Sequence, residues 1–129
     1  MLLVVAIIAT PFLLMYAVAM APRWINDYRL ESLADRAREH PLPPSATFLT
    51  WEPQGPVTGD SGDCWAGLAF RLRTDRPTEE IERYYEAAPF MRTDEHFSEL
   101  SVSASQVSSD QVSVDVGTTS SGAWDLRCW

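Results

Sequence analysis

Few residues in this 129-residue chain are of types and spacings that do chemistry. Two cysteines, Cys64 and Cys128, stand far apart, with no Cys-x-x-Cys and no histidine cluster of metal-site spacing. A disulfide explains such a pair best, and disulfides persist outside the reducing cytoplasm. His96 sits among Asp94, Glu95 and Glu99 with no partner that would make it a general base. Glu79, Glu80, Glu82 and Glu86 read as the wet face of a helix. All ten basic residues are arginine. That excludes a Walker phosphate loop, which needs lysine, and there is no HExxH or dinucleotide fingerprint. No catalytic, cofactor-binding or metal residue is expected, and the chain reads as a non-enzyme.

Gly59-Asp60-Ser61-Gly62 resembles the nucleophile segment of trypsin-like serine proteases, but the next residues, Asp63-Cys64, leave the pattern. The only upstream histidine is His40, and a Gly/Asp/Ser turn accounts for the four residues. Asp60 and Asp63 lack the alternating ligands and distal glutamate of an EF-hand. Tyr84-Tyr85 and the five tryptophans read as core and interface; an exposed Trp51, Trp65 or Trp129 would be informative.

The elements that must position these residues come after a long apolar segment. Leu2 to Ala21 carries no charged side chain. Twenty residues at about 1.5 Å each span about 30 Å, a bilayer's hydrocarbon thickness. Trp24 and Tyr28 come next, where an aromatic belt would lie. Ala17-Val18-Ala19 and Ala19-Met20-Ala21 have the form of cleavage sites. The missing basic flank, the long run and Pro22 favour an uncleaved signal-anchor. Residues 1–21 are therefore expected to be a transmembrane anchor.

Residues 22–40 hold four Arg and four acids, which cancel; residues 41–129 carry the whole −8 charge. Such acidity argues against nucleic acid as a partner. Orientation has two opposed signals. The arginines after the anchor favour the cytoplasm by the positive-inside rule. The cysteine pair favours an extracytoplasmic domain, and that side is preferred.

Residues 22–40 read as a juxtamembrane helical stalk with one apolar stripe, Leu30, Leu33, Ala34 and Ala37. The stripe could lean on the domain or make a homo-oligomer seam. His40-Pro41-Leu42-Pro43-Pro44 ends the helix. Residues 41–129 are then an α+β domain, expected to fold alone unless the stripe packs on its sheet. Residues 46–52 read as a strand, 53–62 as a loop, and Cys64 to Arg73 as a half-buried strand. A helix comes next, with Thr78 as N-cap, Ile81, Tyr84, Tyr85 and Ala88 inward, and Pro89 at its end. Phe97, Leu100, Val102 and Ala104 suggest a strand, and Val112, Val114 and Val116 the next. Gly117 to Gly122 reads as a turn, and Trp124, Leu126 and Cys128 as the inward face of a last strand. The order is α-β-β-α-β-β-β: a transmembrane and stalk helix, then a small antiparallel sheet with one packed helix.

The run from His40 to Pro44, the turn from Gly59 to Cys64, and Leu72-Arg73-Thr74-Asp75 before an acidic helix ending in Tyr84-Tyr85 resemble small membrane-anchored proteins of unknown function from Gram-positive bacteria. The resemblance covers residues 38–86 and implies an anchored envelope protein without functional residues to transfer. The expected function is a non-catalytic, disulfide-stabilised domain on a single-pass anchor in the cell membrane. Its partner would be an envelope protein or wall component. The alternative is a small ligand-binding or enzymatic domain with a pocket between sheet and helix.

Overall fold

The computed structural model describes residues 2–52, 57–61, 63–92, 99–120 and 125–129. The first element is a single helix, α1 (Leu2–Glu39), of 38 residues. At about 1.5 Å per residue it is about 57 Å long. It includes both Pro11 and Pro22. Thr10 donates its hydroxyl to the Ala6 carbonyl at 2.7 Å, so this polar group is satisfied within the helix. The helix is long and apolar enough to cross a membrane. From Ile7 to Val18 its large side chains are exposed.

The second half of α1 behaves differently. Leu33, Ala34 and Ala37 are buried in the main core, and Leu30 is buried beside Cys64 and Cys128. The stripe therefore packs on the chain's own sheet. The helix runs without a break from the apolar segment to the core, and packing crosses the residue 40/41 division that the prolines suggest. Stripe spacing identifies an apolar face but not what covers it.

Among the described residues the sheet has five strands: β1 (Thr47–Trp51), β2 (Thr58–Asp60), β3 (Asp63–Arg73), β4 (Glu99–Ser108) and β5 (Gln111–Ser120). All pairings are antiparallel, in the order β1-β3-β5-β4, with β2 also on β3. Residues across the register share a face. Leu68 opposes Val116, which opposes Val102; Phe70 opposes Val114, which opposes Ala104. That face is buried against α1 and α2 (Thr78–Glu86), with Phe90 of the short α3 (Pro89–Arg92) beside them. The α+β class, the inward alternation of β3 and the buried Ile81, Tyr85 and Ala88 agree with the sequence reading.

The observed order is α-β-β-β-α-α-β-β, then a 3₁₀ turn at Leu126–Cys128. It departs from expectation in five places. β2 lies in the stretch read as a loop, because a three-residue strand has too few positions to show alternation. Gly59 there is required: a Cβ would lie 1.8 Å from the Asp63 carbonyl oxygen and 2.8 Å from Cys128 Cβ. Pro77, not Thr78, caps α2 and offers no side-chain bond. Pro89 opens α3, a position where its missing N–H costs nothing. Gly117 to Ser120 continue β5 rather than turning, held by pairing with residues 64–67 of β3. The last segment is a 3₁₀ turn, not a strand. Asp125 caps it by accepting the Arg127 N–H, so a spacing of three turns Asp125 and Cys128 inward and leaves Leu126 exposed. Phe97 and Trp124 lie outside the described residues.

Candidate functional site

At the end of α1 farthest from the apolar segment, the core opens into a cavity of about 190 Å³. α1 supplies Ala37 and Arg38, the adjoining turn His40 and Leu42, β1 Phe48 and Trp51, β3 Phe70, and α2 Tyr85. The rings form a continuous chain: Phe48–Trp51 at 5.5 Å, Trp51–Phe70 at 5.0 Å and Phe70–Tyr85 at 5.2 Å between centroids. His40 joins it at 6.0 Å from Tyr85. Arg38 lies over the Trp51 ring, its Cζ 5.0 Å from the centroid, and pairs with Asp35 at 2.7 Å. Tyr84 donates its hydroxyl to the Pro41 carbonyl at 2.9 Å, which fixes the proline turn at the rim.

Beside the charged Arg38, burial biases two titratable rings of the cavity toward their neutral forms. Burial lowers the pKa of His40, whose Nε2 has no hydrogen-bond partner among the described groups. Burial, and secondarily Tyr84, raises that of Tyr85 well above the ordinary tyrosine value. A lining made mostly of rings, with the Arg38 guanidinium stacked on one of them, suits apolar or aromatic groups. Small-molecule pockets usually exceed about 300 Å³. This cavity is smaller and matches one inserted side chain better than a cofactor.

The opposite end of the domain holds the cysteines. Cys64 and Cys128 are bonded, with Cα atoms 5.2 Å apart. The bond joins β3 to the 3₁₀ turn. Arg127 then ties that turn to α1. It meets Asp125 at 2.6 Å and Asp27 at 2.8 Å, and donates to the Arg23 carbonyl at 3.3 Å. Asn26 donates to the same Asp125 carboxylate at 3.0 Å. The Arg127 hydrogen bond, aided by Asn26 and the backbone, holds the Asp125 pKa down to about 2 despite burial. Donor atoms of Cys64, Asp125 and Cys128 lie within 4.8 Å of one another. The two sulfurs are consumed by each other and the carboxylate by Arg127 and Asn26, so the cluster is structural.

The other residues whose types suggest chemistry disperse. Asp60 and Ser61 form the β2–β3 turn; Ser61, at φ 54°, donates to Asp60 Oδ1 at 3.2 Å. This is turn chemistry, far from His40 in the fold. Glu79 and Glu86 are exposed, and His96 lies outside the described residues. Trp65 and Trp129 are exposed, while Trp51 is half-buried in the cavity wall. Sequence reasoning misses the convergence of Arg38, His40, Phe48 and Trp51. These come from a helix end, a turn and an edge strand, and no local spacing reports that meeting. Comparisons of the chain with protein-family models, with curated proteins and with solved structures give no match.

Proposed function

We propose that this is a single-pass membrane protein, akin to small anchored Gram-positive envelope proteins, whose extracytoplasmic domain binds another protein without catalysing a reaction. Continuity of α1 carries the anchoring: an exposed apolar half of about one bilayer's length leads directly into a half that belongs to the core. The bonded cysteines favour the oxidising side. They outweigh the arginine count, which biases insertion but does not preserve a disulfide. The ring-lined cavity supports binding of one apolar side chain from a protein partner over a wall polymer, whose polar groups would find few matches there. The alternative, a small-ligand or enzymatic pocket, has Arg38 and His40 in the wall, but the cavity is below the usual volume of such pockets.

Two measurements on the whole protein in intact cells decide between these readings. A reporter active only after export, fused beyond Trp129, is expected to be active; activity from a cytoplasm-only reporter instead would overturn the placement. A photocrosslinker at the rim residue Leu42 is expected to yield one discrete protein adduct that Trp51→Ala removes. Adducts unaffected by Trp51→Ala would mean that the cavity is not the contact.

A further inference from the structure

We propose that the C-terminal 3₁₀ turn is a second membrane contact, with Leu126 and Trp129 seated in the interfacial layer of the bilayer that α1 crosses. This rests on the reading of α1 as an anchor. Height along the helix places the turn. Ala21 ends the uncharged run. Arg23 and Asp27 lie about 3 and 9 Å beyond it at helical rise. The headgroup layer adds about 5–7 Å on each side of the hydrocarbon. Arg127 is bound to both of those residues, one inside that layer and one just above it, so the turn is held beside the helix at the outer edge of the headgroups.

What the turn presents there is apolar. Leu126 is 67% and Trp129 74% exposed. On the opposite side of α1, Trp24 and Tyr28 are 54% and 74% exposed at the same level. Helical geometry puts Arg23, Asn26, Asp27 and Leu30 toward the domain, and Trp24 and Tyr28 away from it. The two sets together surround the helix where it leaves the lipid, the position that tryptophan and tyrosine favour. Charge is not the attraction. Arg127 is matched by Asp125 and Asp27, and residues 41–129 carry −8. An anionic surface would repel the domain, so the contact is by ring and aliphatic surface and is indifferent to salt.

The full-length protein in phosphatidylcholine vesicles tests this, with acyl chains either brominated or not. The emission that disappears on Trp129→Phe reports Trp129, and that on Trp24→Phe reports Trp24. Loss of most of both signals in brominated lipid, unchanged by high salt, is the expected result. Quenching of Trp24 with an unquenched Trp129 would overturn the second contact while leaving the anchor intact. Failure to quench either would overturn the anchor reading itself. Quenching of Trp129 that high salt abolishes would overturn the apolar basis of the contact.

Discussion

Asp125 shows how one buried charge can organise a terminus. It accepts from the Arg127 side chain and backbone and from Asn26, and its pKa falls from 3.8 to about 2. A carboxylate depressed on folding contributes stability above its unfolded pKa and loses it as pH falls through the folded value. Stability should therefore decline between about pH 4 and 2. Asp125→Asn should lack that part of the decline when the two proteins are unfolded by urea across this range. At the disulfide, replacing both cysteines with serine should cost about 4 kcal/mol for a loop of this size; the loop separation is 64 residues. Paired urea titrations with matched slopes would measure it. The bond is legible in the isolation of the two cysteines. The shared parity of Leu126 and Cys128 misleads, because a 3₁₀ turn replaces the period of two with three.

Elements with sustained periodicity are legible in the sequence. The alternation of Leu68, Phe70 and Leu72, and of Val112, Val114 and Val116, reports burial on one face and nothing else. Short elements escape: β2 has three residues, and the terminal turn has three. The helix α1 reads as two pieces because charge begins at Arg23 and the proline run after Glu39 marks a boundary. Leu33 is fully buried. Leu33→Ala should cost about 2–5 kcal/mol, the range for a core leucine, visible as a lower unfolding midpoint. A chain beginning at Asn26 should keep the stripe and the Asp125 contact and unfold cooperatively. One beginning at Pro41 should aggregate or lose its cooperative thermal transition, because the Leu68–Phe70 face would be uncovered.

At the scale of the whole molecule, the sequence places the apolar segment and the acidic domain but not the continuous helix that joins them. The cavity is likewise invisible in it, since the lining comes from separate elements. A continuous helix leaves no non-helical linker between the apolar segment and the core. Trypsin added to the protein in vesicles should therefore fail to release a soluble domain by cutting at Arg23 or Arg29, for proteolysis needs locally unfolded chain. Rapid release of a folded fragment would reveal a tether.

The unbroken α1 also sets where a partner can be met. Arg38 lies 17 residues beyond Ala21 on the same helix. If Ala21 marks the hydrocarbon edge, as proposed, the aromatic cavity stands about 25 Å above it at helical rise. On the proposed anchoring, a helical connection leaves the domain less room to swing than a flexible tether would, with Pro22 the one point where the helix could bend. Part of the freedom that association ordinarily removes would then already be gone. A partner embedded in the same membrane, carrying its apolar side chain at that altitude, would meet the cavity by lateral encounter, while one a few residues too short would pass beneath it.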